Sequence, residues 1–191
     1  MKKPTPNSQK DLALMSRIAA DDKTAMRDLY EAYSPNLTNF VKNWLYDPTQ
    51  AADLVHETML EVWRNAKRFE GRSSLKSWIF SIARNKSIDT NRRGARVTYT
   101  DEVPETIDGE TSQEDFVLGV QNAKYLMAAM KELSDSHRRV LHLAFFEDMK
   151  YEDIAVIEDC PVGTVKTRIL HAKKKLLYII KKQPNFEPFQ Q

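Results

Sequence analysis

Apolar residues recur at intervals of three and four along most of the chain, and that spacing restricts it to helices. Leu14 and Ile18 open the run, and Met26, Leu29, Tyr30, Tyr33, Leu37, Phe40, Val41 and Trp44 continue it. One face of a 3.6-residue helix repeats at this interval, so each segment carries an apolar stripe to bury against a neighbouring helix. Pro35 stands inside this run and predicts a bend or an interruption there. After Asp47-Pro48-Thr49, a natural helix start, Leu54, Val55, Met59, Val62 and Trp63 carry the pattern on, and Leu75, Trp78, Ile79, Ile82 and Ala83 repeat it. No alternating strand pattern bounded by turns occurs, and the chain has only five glycines, so the expected fold is all-α.

The period stops once. From Val97 to Ala123 there is no Lys or Arg, while Asp101, Glu102, Glu105, Asp108, Glu110, Glu114 and Asp115 accumulate around Pro104 and Gly109. Such a stretch reads as a flexible acidic linker. We therefore expect two small helical domains, at 10–96 and 122–182, joined by a linker at 97–121 and followed by a mobile tail at 183–191.

The net charge of +2 conceals an uneven distribution. Between Arg64 and Arg96 ten cations are opposed only by Glu70 and Asp89, and between Pro161 and Lys182 seven cations meet no carboxylate. Two basic surfaces flanking an acidic connector create a field that a polyanion can feel. Other function classes fail on inventory. The start, Met1-Lys2-Lys3-Pro4, leads into no apolar signal core, and no stretch approaches the roughly 20 apolar residues of a membrane span, so a cytoplasmic protein is expected. One cysteine, Cys160, can build neither a disulfide nor a cysteine zinc cage. His56-Glu57 matches half of a zinc-protease motif, but position 60 is Leu and the second histidine is missing. No glycine-rich phosphate loop exists. The expectation is no enzyme, no catalytic residue, no cofactor and no metal.

The C-terminal domain reads as a helix-turn-helix. Tyr125, Leu126, Ala129 and Met130 mark one helix; Ser134 can cap a second, with Val140, Leu141, Ala144 and Phe145 facing inward. Tyr151, Ile154, Ala155 and Ile157 mark a third, Glu158-Asp159-Cys160 turns the chain, and Pro161 suits the first turn of a fourth. In that last helix Val165, Ile169, Ala172, Leu176 and Ile180 form the buried stripe, leaving Lys166, Thr167, Leu170, His171 and Lys174 opposite. A helix from Val162 to Lys182 is roughly 30 Å long, enough to reach base edges at one end and phosphates at the other. Lys donates to guanine acceptors, Thr donates or accepts, and Leu170 can touch a thymine methyl. A solvated lysine face on a plain bundle helix is the alternative.

Beyond pattern, the order of residues is familiar. Leu133-Ser134, Tyr151-Glu152-Asp153-Ile154-Ala155 and Val162-Gly163-Thr164-Val165-Lys166-Thr167-Arg168 resemble domain four of extracytoplasmic-function (ECF, group 4) RNA polymerase sigma factors. Asp53-Leu54-Val55-His56-Glu57-Thr58, Val62-Trp63, Phe69-Glu70-Gly71 and Trp78-Ile79-Phe80-Ser81-Ile82-Ala83-Arg84-Asn85 resemble domain two of the same family. The resemblance covers roughly residues 10 to 182 and makes 10–96 a sigma domain 2 and 122–182 a sigma domain 4. It implies a protein that binds core RNA polymerase, directs it to a promoter and helps open the duplex. By motif, Asp53, His56, Glu57 and Glu61 would meet the polymerase. Phe69, Arg72 and Ser73 would lie in a loop capturing a base flipped from the minus-ten element, with Asn85, Lys86, Arg92 and Arg93 along the strand. Lys166, Thr167, Leu170 and His171 would read the minus-thirty-five element, with Arg168 and Lys174 toward phosphate. The resemblance also implies an anti-sigma factor as partner and a stress-response regulon. The sequence departs from the family in three places: Asp159 stands where glycine is common, Pro161 where serine commonly caps, and His56 where glutamine is frequent. The rival from another class is a dimeric regulator that reads duplex DNA unaided, its N-terminal bundle sensing or dimerising.

Overall fold

The computed structural model describes residues 6–94 and 123–182; the expected linker and tail lie outside the described residues. Among the described residues there are eight α-helices and no strand. They fall into two compact units, Met1–Val97 with Glu152–Asp159, and Thr98–Tyr151 with Cys160–Gln191.

In the first unit α1 (Pro6–Ala19), α2 (Lys23–Lys42), α3 (Ala51–Arg64) and α4 (Leu75–Gly94) surround one core. α3 packs on both α2 and α4, and α1 lies against α2, α3 and the short 3-10 turn Ala66–Arg68. Met15, Ile18, Leu29, Phe40, Met59 and Phe80 are all but fully buried there, with the Phe40 and Phe80 rings 4.8 Å apart. The helix starts follow capping chemistry. Asp22 caps α2 by accepting from the Ala25 N–H at 3.0 Å, and this bond, helped by Arg17, holds its carboxyl below the usual range. Asp47 caps the 3-10 turn Pro48–Gln50 that leads into α3, accepting from the Thr49 N–H at 3.0 Å.

The start of α4 is tied down twice. The Ser74 hydroxyl accepts from the Ser77 N–H at 3.1 Å, and Asp11 of α1 accepts from the Leu75 N–H, also at 3.1 Å. Two of the four donors that any helix leaves unpaired at its start are thereby satisfied. Near the other end of α4, buried Asn91 donates to the Trp44 carbonyl at 2.6 Å and accepts from the Tyr46 N–H at 3.1 Å, fastening the α2–α3 connection. Pro35 does not interrupt the chain as its position predicted: α2 runs through it unbroken. Buried Leu37, Phe40 and Val41 anchor the turns beyond it, so packing outweighs the local cost of about 3 kcal/mol.

The C-terminal half contains α5 (Ala123–Lys131), α6 (Asp135–Leu141), α7 (Tyr151–Glu158) and α8 (Val162–Lys181). α8 packs against α5 and α6. Its buried stripe is the expected one, Val165, Ile169, Ala172, Leu176 and Ile180, with Ile179 and Lys173 added. Three local expectations change. Ser134 occupies the cap position of α6, but its hydroxyl makes no capping bond; its carbonyl accepts from Arg138 N–H at 2.9 Å instead. Pro161 is the residue before α8 and not part of its first turn. After Leu141 the helix widens into a π-turn, His142–Phe146, closed by Glu147 N–H donating to the His142 carbonyl at 3.2 Å. The wider turn shifts the register, so Leu143 is buried while Ala144 and Phe145 are half-buried.

Candidate functional site

Two polar faces of the first unit converge on the residues singled out by sequence. On α3, Leu54, Val55, Thr58, Met59 and Val62 point into the core, which forces Asp53, His56, Glu57 and Glu61 outward. The first three are exposed and Glu61 half-buried, forming an acidic ridge with one imidazole. Tyr30 of α2 sets its ring edge-on to His56, 6.4 Å between centroids, and extends the ridge with a half-exposed aromatic. Sequence periodicity assigned Tyr30 to the core stripe, and only packing reveals it here. Leu60 of the same helix is also partly exposed.

The loop from Phe69 to Ser74 follows the 3-10 turn. Phe69 is buried and its ring lies 5.3 Å from that of Trp78, which is only half-buried. Spacing placed Trp78 in the core; the structure puts it at the core's margin, paired with Phe69 beneath the loop. Gly71 has φ 68, a left-handed turn that glycine takes without a Cβ clash. Next to it Arg72 pairs with Glu70, both exposed, and Ser73 is half-buried. On α4, Asn85, Arg92 and Arg93 are exposed. Asn85 accepts from Arg84 at 3.3 Å, Arg84 lies over the Trp44 ring at 5.5 Å, and Arg92 stands 4.0 Å from Asp89.

Lys86 behaves differently from its neighbours. Its ammonium is 2.9 Å from Glu61 and 3.9 Å from Glu57, so a cation assigned to the nucleic-acid face is held by the carboxylates of the other face.

On α8, Lys166 and Thr167 are exposed, while Arg168, Leu170, His171 and Lys174 are half-buried, all on or beside the face opposite the apolar stripe. Thr167 returns its hydroxyl to the Gly163 carbonyl at 2.7 Å. The rings of His171 and His137 meet edge to face at 6.4 Å. Arg168 reaches back to the Cys160 sulfur, 3.8 Å away, which draws it toward the turn. Ahead of α8, Asp159 has φ 53, the left-handed conformation that makes glycine common at such a turn and that Asp also tolerates. Lys173 leaves the basic surface: it is buried, its ammonium lies 4.9 Å from the Phe145 ring centroid, and burial pulls its pKa below the usual lysine range.

Among the described residues no group of His, Cys, Asp or Glu is placed to hold a metal ion, and no helix is long and apolar enough to cross a membrane.

Comparison with known proteins matches these regions one by one. The family Sigma-70 region 2 matches residues 29–97, and the family Sigma-70, region 4 matches residues 123–176. The ECF RNA polymerase sigma factor RpoE of Cereibacter sphaeroides is 30% identical over 86% of this chain and 92% of its own length. The RNA polymerase sigma-H factor of Pseudomonas aeruginosa is 27% identical over 88% of this chain and 92% of its own. Among solved structures, the sigma factor RpoE in complex with the anti-sigma factor NepR from Bartonella quintana aligns with a TM-score of 0.62 at 26% identity, over 82% of this chain and 97% of that one. CnrH in complex with the cytosolic domain of CnrY aligns with a TM-score of 0.63 at 19% identity, over 90% of this chain and 97% of that one, a likeness of fold alone.

Proposed function

The chain belongs to the ECF RNA polymerase sigma factors, non-enzymatic proteins of promoter-specific transcription initiation, and from that premise we propose how its own residues divide the work. The α3 ridge of Asp53, His56, Glu57 and Glu61 binds core RNA polymerase. The Phe69–Ser73 loop, with Arg72, holds a base extruded at the minus-ten element, and Asn85, Lys86, Arg92 and Arg93 follow the strand. Lys166, Thr167, Leu170 and His171 read the minus-thirty-five element, while Arg168 and Lys174 contact phosphate.

One observation carries this reading: the acidic ridge and the acid-free face of α8 each fall within a different matched region, 29–97 and 123–176. The chemistry is suited to each task. Carboxylates on an exposed ridge attract a basic protein surface and repel DNA, so they select polymerase over promoter. The α8 face has both base-reading and phosphate-binding side chains, which separate specificity from affinity. Base capture costs a few kcal/mol of lost stacking, and exposed Arg72 with half-buried Ser73, on a loop supported from beneath by the Phe69–Trp78 pair, supplies contacts that offset it.

Control by an anti-sigma factor is part of the proposal, supported by the complex of the Bartonella quintana RpoE with NepR. A stress-response regulon is proposed as its use. Incubation of the purified chain with core RNA polymerase, followed by gel filtration, tests the central claim: a stable complex that initiates at a defined promoter is expected. Failure to associate, together with tight unaided binding to duplex DNA, would overturn it.

A further inference from the structure

We propose that Lys86 couples polymerase binding to promoter binding, because one ammonium serves both faces and cannot serve them at once. This rests on α3 being the polymerase face and α4 the promoter face. Lys86 lies on α4 between exposed Asn85 and buried Ser87, yet its side chain crosses to α3 and ends 2.9 Å from Glu61 and 3.9 Å from Glu57. Its side chain is 24% exposed, against 43% for Glu61 and 64% for Glu57, so the lysine is the more enclosed member and the carboxylates remain open to a partner. The other carboxylate near it on α4, Asp89, stands beside Arg92.

The electrostatics set a competition. In the free chain Lys86 neutralises part of the acidic ridge and is itself unavailable to phosphate. A basic surface that engages Glu57 and Glu61 takes the same oxygens and displaces the ammonium. Its flexible four-carbon stem then lets it turn outward beside Asn85, where a DNA strand would supply new acceptors. Coupling of this kind is reciprocal: whatever polymerase gains by releasing Lys86 to DNA, DNA returns by clearing the ridge for polymerase. A partly exposed ion pair sets the scale, about two- to five-fold in affinity on each side.

Lys86→Gln in the full-length chain tests this, since glutamine removes the charge and retains most of the stem. Binding is measured to purified core RNA polymerase, and then, for the assembled holoenzyme, to a duplex selected by that holoenzyme from random DNA. The two constants move in opposite directions if Lys86 is shared. Core affinity rises by about two- to five-fold. Promoter affinity falls by a similar factor, with the salt slope reduced by about one. In a Glu61→Gln, Glu57→Gln background Lys86→Gln leaves core affinity unchanged. A fall in core affinity, or an unchanged promoter affinity, overturns the coupling. Asp53→Ala and Glu57→Gln separate the two levels. If neither weakens core binding, the polymerase face itself is misassigned and the coupling falls with it. If both weaken it while Lys86→Gln changes nothing, the coupling alone is wrong.

Discussion

At the scale of single residues, charge and exposure part company in the basic helix α8. Lys173, Lys174 and Lys175 are identical in sequence character, yet Lys173 is buried against Phe145 while Lys174 is half-buried and Lys175 exposed. Burial, seen in the lowered pKa of Lys173, removes it from any phosphate backbone. Lys173→Met is therefore expected to leave promoter affinity within about two-fold, whereas Lys174→Ala lowers affinity evenly across sequences and reduces the salt slope by about one. Filter binding at several salt concentrations checks both. Equal losses from the two substitutions would place Lys173 on the DNA face after all. The helical period named all the apolar members of the stripe correctly in advance except Ile179, because apolar burial follows spacing. It could not single out Lys173, since a lysine is buried only where a neighbour such as Phe145 receives it, and Phe145 reaches that position through a π-turn with no clear sequence signature.

At the scale of elements, the first unit is held together by polar ties as well as by its apolar core. Asn91 satisfies a carbonyl and an N–H of the α2–α3 connection at 2.6 and 3.1 Å, in a buried setting. Asn91→Ala removes both bonds, so a loss of about 1–3 kcal/mol in unfolding free energy is expected from urea titration, with the helix content of the native state unchanged. A loss below about 0.5 kcal/mol would mean that water replaces the side chain readily. The same logic explains what the sequence left open about α4. Its start is fixed by Asp11, 64 positions earlier, through a bond to Leu75. No local capping rule reaches a partner from α1. Pro35 is the converse case. The local rule predicted a bend or an interruption, and no interruption occurs: Leu37, Phe40 and Val41, buried beyond the proline, keep the helix continuous.

At the scale of the whole molecule, we propose polymerase binding and the minus-ten contacts for the region matched at 29–97, and the minus-thirty-five element for the region matched at 123–176. We expect the domains at 10–96 and 122–182, expressed as separate fragments, each to give a helical spectrum and a cooperative melt, with core polymerase retained by the first and not by the second. Circular dichroism and a pull-down decide this; a fragment that fails to melt cooperatively would show that the division lies elsewhere. By itself the sequence determined the helical class and most of the apolar stripe of α8, because each follows from periodicity within one helix, and the buried Leu54, Val55, Met59 and Val62 leave the ridge residues of α3 facing outward. Tertiary structure alone decided which side chains meet across elements. Lys86 with Glu61, Phe69 with Trp78, Asn91 with the Trp44 carbonyl and Lys173 with Phe145 are all contacts between elements. The physical reason is that spacing along a helix fixes which way a side chain points, whereas the partner it finds depends on where packing brings the next surface.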